Sequence, residues 1–153
     1  MLFLKLYDSE FLGNQYGGFY VKAILVIAGT VGAFAAVQTG EIARGLIEDD
    51  SLDALLDLHK NFATFTLHLF SFIAIAYIFA WLKRDGQNLW LKIPSGITKV
   101  FDYYSQFVLY PPLVIILSII GVIAITITGA LGGAVVYGPE GDPVIKIIYN
   151  IFL

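Results

Sequence analysis

Apolar residues gather along the chain into three long blocks, separated by polar segments that contain glycine or proline. The first block runs from Phe19 to Val37, FYVKAILVIAGTVGAFAAV. The second runs from Phe62 to Trp81 and carries no formal charge. The third runs from Pro112 to Tyr137, PLVIILSIIGVIAITITGALGGAVVY. A helix rises about 1.5 Å per residue and a bilayer core is about 30 Å thick, so each block is long enough to cross. The pattern predicts an all-α fold: an integral membrane helical bundle with three transmembrane helices plus a surface helix. It forms one membrane domain over residues 1–153.

The segments between the blocks refine this picture. The start, MLFL, is too short to span and leads into a polar connector, DSEFLGNQYGG. Ala28, Gly29, Gly32, Ala33, Ala35 and Ala36 thin the first span, so a neighbouring helix can approach closely. The 38–61 segment leaves the membrane, and the Asp50-Ser51 pair followed by Asp53 suits a helix start. In the 82–111 connector, Pro94-Ser95-Gly96 is a break. After it, Ile97, Val100, Phe101, Tyr104 and Phe107/Val108 share one helical face, as in a helix on the membrane surface. Gly121, Ala124 and Thr128 form a small-residue stripe on the third span, and the tail from 143 to 153 is apolar but too short to cross.

Composition supports the membrane reading. Hydrophobic residues make up 58% and charged residues 14%, against about 25% charged in a soluble domain. The net charge is −3, and no basic run points to nucleic acid. With no cysteine, the chain offers no disulfide, thiolate metal site or cysteine nucleophile. MLFLKLYDSEFLG has no signal-peptide pattern, so the first span is expected to serve for targeting.

Lysine and arginine set the expected orientation. The 82–111 connector has Lys83, Arg84, Lys92 and Lys99, which places it in the cytoplasm, and Lys5 and Lys22 place the N-terminus with it. The acidic 38–61 segment and the C-terminus then face outward. Three stretches are expected to meet at that outer face: QTGE after the first span, His59 at the head of the second, and GALGGAVVYG at the end of the third.

His59 and His68 are the only histidines. A neutral imidazole at His59 could ligate a haem iron or another metal, its second nitrogen held by a carbonyl or carboxylate. The competing reading is a histidine in an interfacial polar network. His68 lies about two turns into the apolar stretch, where it is either a second cofactor ligand or a hydrogen-bonded histidine between helices. Nine residues separate them; at about 100° each the two rings point to opposite faces, roughly 13.5 Å apart in rise. One site cannot use both, so a bis-histidine haem needs a ligand from elsewhere. Asp49, Asp53 and Asp57 repeat every four residues, as a solvated acidic face or a cation-attracting one. No triad, phosphate loop or His-Glu-x-x-His pattern is present, so no catalytic residue is assigned.

The run FYVKAILVIAGTVGAFAAVQTGEIA, then LHKNFAT, then ITGALGGAVVYG resembles the prokaryotic membrane family known as domain of unknown function 2231. The resemblance covers roughly Phe19 to Gly138. It implies a four-helix membrane bundle. Thr39 and Gly40 match its Thr-Gly after a helix, His59 its helix-head histidine, and Gly132, Gly133, Val136 and Tyr137 its closing stretch. The sequence from Met1 carries no His-Pro or His-Phe-Pro motif of the family's opening helix, and Met1 to Leu6 resembles that helix's tail, so the expectation is either a start upstream of Met1 or a protein without that helix.

Together these readings give two expectations. One is a redox or binding subunit, with a b-type haem or metal at the outer face and His59 as ligand. The other is a cofactor-free structural or assembly subunit of a larger membrane complex. In both, lipid surrounds the spans, and small-residue helix faces favour homo- or hetero-oligomers.

Overall fold

The computed structural model describes residues 11–47 and 50–153. Among the described residues the protein is helical throughout, with no strand. Helix α1 spans Phe11–Arg44, and a 3-10 turn at Asp50–Leu52 leads into α2, Asp53–Asp85. Short α3 (Gln87–Trp90) and α4 (Ser95–Val108) follow, then α5 (Pro111–Tyr137) and α6 (Pro143–Phe152). Gly18–Arg44 within α1, all of α2 and all of α5 are long and apolar enough to cross a membrane. The all-α bundle expected from the hydrophobic blocks is therefore present. The MLFL start, Lys5, Glu48 and Asp49 lie outside the described residues.

The helices outrun the apolar blocks. Helix α1 begins at Phe11, where the polar, glycine-containing sequence suggests a connector, and it continues past Val37 to Arg44. Hydropathy marks only the part that suits lipid, whereas helical hydrogen bonding continues until the backbone or a cap stops it. Helix α2 stops at Gly86, whose N–H bonds the Leu82 carbonyl at 2.9 Å. Helix α5 starts with Pro111 and Pro112, where a missing N–H costs nothing. It ends at Gly138, whose φ of 79° is a left-handed conformation that favours glycine.

Helix α2 is the centre, with α1, α4 and α5 packed on it and α6 folded back on α5. Small residues set the closest approach. Gly121 and Ala124 of α5 are buried, and a Cβ at Gly121 would lie 2.7 Å from Phe70 Cζ, so its absence seats the phenyl ring of α2. One core cluster joins Leu55, Leu131, Ala134, Ile145 and Ile148. The other joins Ala23, Ile73 and Tyr77. The first lies toward Glu41, Asp53 and Asp57, the acidic end; the second lies toward Lys83 and Arg84, the basic end. The apolar tail packs back on the bundle as α6, capped at its start by Asp142, whose Oδ1 accepts from the N–H groups of Val144 (2.7 Å) and Ile145 (3.0 Å).

Two expectations change. The face expected to lie on a membrane surface from α4 is divided: Phe101 stacks on Phe79 and Val108 is fully buried, while Ile97, Val100 and Phe107 stay exposed. Helix α4 is therefore tied into the bundle by part of its apolar surface. On α1, Gly29 and Gly32 are exposed, and nothing lies within 4 Å of a Cβ built on either. The small-residue face read as a packing surface is left open within this chain.

Candidate functional site

At the acidic end a cleft of about 280 Å³ opens between α1, α2 and α5. Its walls are largely alkyl: Ala33, Ala36 and Val37 from α1, Leu56 and Ala63 from α2, and Ile125 from α5. His59 reaches into it from α2, and Gly40 lines the opposite wall. Of the three stretches expected to meet, QTGE (through Gly40 and Glu41) and His59 line this cleft, while α5 contributes Ile125 and Thr128, just before GALGGAVVYG, whose Gly132 backs the His59 ring.

The ring of His59 is held from two sides. Its Nδ1 lies 3.0 Å from the backbone carbonyl oxygen of Thr128. A carbonyl only accepts, so Nδ1 carries the proton and donates. In the neutral ring that leaves Nε2 with its lone pair, and Nε2 has no hydrogen-bond partner among the described residues. The ring edge rests on Gly132: a Cβ there would stand 3.0 Å from His59 Cε1. Thr128 also fixes its own hydroxyl, which donates to the Ala124 carbonyl at 2.8 Å and lies 3.4 Å from the Thr66 hydroxyl. Thr66 is buried, so this small polar seam continues below the histidine into the bundle.

Ion pairs bridge the mouth of the cleft. Glu41 of α1 receives Lys60 of α2 at 2.6 Å. Arg44 of α1 donates to Asp57 of α2 and stands 4.0 Å from Asp53. The helices are antiparallel, so moving three residues up α1 moves three residues back along α2. Acid on one helix therefore meets base on the other at both steps. All four side chains keep substantial solvent exposure, so water screens both pairs.

His68 does not join this site. It is exposed on the far side of α2 and has no hydrogen-bond partner among the described residues. The opposed faces expected for the two histidines are seen, but His68 is not enclosed between helices as one sequence reading had it. The residues matched to the family's small-residue pattern also divide. Gly40 lines the cleft, Gly132 supports the imidazole and Gly133 faces Ile145. Thr39 is exposed and bonds back to the carbonyls of Ala35 and Ala36, and Tyr137 is 76% exposed. Neither Thr39 nor Tyr137 lines the cleft.

Among the described residues no three histidine or carboxylate groups converge to hold a metal ion. The acidic repeat is also engaged otherwise: Asp53 and Asp57 both turn to Arg44. Comparison with protein-family models, with curated proteins and with solved structures finds no match.

Sequence reasoning passed over Thr128 as a site residue, seeing in it only a member of a small-residue stripe. It also left the Glu41–Lys60 and Arg44–Asp57 pairs unread. Their signal was available: Glu-x-x-Arg at 41–44 and Asp-x-x-Lys at 57–60 are reversed charge patterns on neighbouring antiparallel helices.

Proposed function

We propose that the protein is a multi-pass integral membrane protein that binds a b-type haem in the cleft at its acidic end, with His59 Nε2 as the protein ligand. The observation that carries this reading is the His59–Thr128 hydrogen bond, which turns the unpartnered Nε2 into an acceptor in an apolar cleft. A carbonyl on the other ring nitrogen fixes the tautomer and orientation that an iron ligand needs.

The donor set favours haem over a chelated metal ion. A bare ion asks for several protein ligands, and among the described residues no such group exists. Haem brings four nitrogens of its own and needs one imidazole. When bound it would supply one-electron redox chemistry. The alkyl side chains of Ala33, Ala36 and Val37 would meet the apolar face of a macrocycle, and Arg44 and Lys60 at the mouth would exchange Asp57 and Glu41 for its carboxylates. His68 lies outside this site. The Lys and Arg of the 82–111 connector support an orientation with the basic end in the cytoplasm and the cleft outside. Membership in family 2231 belongs to the same proposal; Gly40, His59 and Gly132, all at positions of its pattern, lie around one cleft.

The test is the visible spectrum of the purified protein, oxidised and then reduced with dithionite. A Soret band with reduced b-type bands that disappears in His59→Ala supports the reading. A second reading, a cofactor-free structural subunit, draws on the mouth itself: Arg44 and Lys60 are already paired with Asp57 and Glu41. A flat spectrum with no iron by elemental analysis leaves that reading.

A further inference from the structure

His68 is an exposed imidazole in the middle of a candidate membrane span. It lies three to four residues from the midpoint between Lys60 and Lys83, the charges that bound the apolar stretch, a distance of roughly 5 Å along the axis. At that depth there is no bulk water to satisfy its ring nitrogens, and polar groups there generally face protein or a cavity. Among the described residues it has no partner.

The surrounding exposure has a period. Asn61, Phe65, His68, Phe72 and Ile75 are the exposed positions along this face of α2. Their steps of four, three, four and three residues make a 3.5-residue repeat, the seam by which one helix winds along another in knobs-into-holes packing. The repeat includes 49% exposed Phe65, 40% exposed Phe72 and 43% exposed Ile75. Toward the basic end the Tyr104 ring of α4 meets one edge of Phe72 at 5.2 Å and leaves the rest exposed, and Phe101 covers the face at Phe79, on which it stacks at 4.0 Å. The open seam therefore runs from the acidic end down to Phe72 and Ile75.

The two polar members decide the occupant. Asn61 and His68 are seven residues apart and fall at the same position of the repeat. A neutral imidazole has one donor and one acceptor, and a carboxamide has both. Each group is therefore complementary to itself. Two copies inserted in the same direction are related by a two-fold axis along the membrane normal, which sets α2 beside α2 in parallel and each residue opposite its counterpart. We propose that this stripe of α2 is the interface between two copies of the chain, with a His68-to-His68 hydrogen bond near its centre. A different partner would have to present matching groups at both levels; a second copy does so by symmetry.

The absence of cysteine allows a direct test in membranes. Single Phe65→Cys and Phe72→Cys variants are oxidised in the bilayer, with Ile123→Cys as control. Ile123 is 55% exposed on α5, and it lies between the levels at which Gly121 meets Phe70 and Thr128 meets Thr66. Disulfide-linked dimers at positions 65 and 72, several-fold above the control, support the seam. Equal yields at Ile123→Cys, or no dimer on the stripe, overturn it and leave the face to lipid or another chain. In the Phe65→Cys background, His68→Leu is expected to lower dimer yield by roughly three- to tenfold, while His68→Asn, which keeps a donor and an acceptor, retains most of it. No effect of His68→Leu overturns the hydrogen bond. Neither readout depends on haem in the cleft.

Discussion

The His59 Nδ1 and the carbonyl oxygen of Thr128 lie 3.0 Å apart, a bond between α2 and α5 that joins positions 69 residues apart in sequence. It fixes the imidazole tautomer and leaves the Nε2 lone pair as an acceptor in the neutral ring. The Thr128 carbonyl also belongs to a continuous helix, so losing the imidazole does not orphan it. His59→Ala is therefore expected to cost only about 1 kcal/mol of stability while abolishing a b-type spectrum. Thermal unfolding in detergent and the visible spectrum, measured on one preparation, check the two effects separately. Added imidazole should restore part of the spectrum if the missing ligand is the only defect.

Gly132 and Gly129 lie one turn apart on α5 and should respond oppositely to alanine. A Cβ on Gly129 meets nothing within 4 Å, so Gly129→Ala should gain about 0.5–1 kcal/mol of helix stability. A Cβ on Gly132 stands 3.0 Å from His59 Cε1 and must move the ring by a few tenths of an ångström. Gly132→Ala should therefore forfeit that gain and, under the proposed function, weaken haem retention, with a displaced Soret band as the sign of a tilted ligand. Identical behaviour of the two variants would show that Gly132 does not position the imidazole.

These contrasts mark what the sequence could reveal. Three apolar blocks fix three long helices because lipid tolerates little else, and the glycine and alanine register of α5 foretells which face meets α2. His59 was legible as a candidate because a histidine at the head of a span is an uncommon, titratable group. Thr128 was not, because its contribution is a backbone carbonyl, which every residue owns; only the packing of α5 on α2 selects it. The length of α1 was hidden for a related reason. Its ends, FLGNQYGG and QTGEIAR, are polar or glycine-containing, and hydropathy does not register a helix there. The exposed side of His68 was half legible: nine residues from His59 set the opposite face, but only the fold shows that no helix covers it.

The crossed ion pairs at the cleft mouth predict a charge-exchange result. Glu41→Lys places two cations together and should loosen α1 from α2 at the acidic end. Adding Lys60→Glu restores a pair in reversed order. The coupling energy in this double-mutant cycle should be about 0.2–1 kcal/mol, since both partners are solvated, and should shrink as salt rises. Thermal unfolding at low and high ionic strength measures it. A coupling indistinguishable from zero at low salt would mean the pair does not hold the mouth.

Tyr104 predicts how α4 responds to alkali. Its hydroxyl donates to the backbone carbonyl of Phe72 at 2.6 Å, and its ring meets Phe72 edge-on. Burial raises the phenol above its ordinary range, because the phenolate would lose water. A raised acid binds its proton more tightly in the folded state, so the contribution is complete below the unfolded value, about 10, and is lost as pH climbs through the folded one. Tyr104→Phe should remove the donor at a cost of about 1 kcal/mol at neutral pH and flatten this part of the alkaline loss. Trp90 provides the signal, since its ring lies 6.3 Å from Phe101 on the same helix α4. Its fluorescence should change with pH in the parent and less in Tyr104→Phe, measured in a Trp81→Phe background so that one indole reports. Every other group that responds to alkali is common to both proteins, so the difference between them isolates Tyr104. Parallel curves would show that the hydroxyl does not hold α4 against α2 and that the stacked rings of Phe79 and Phe101 do so alone.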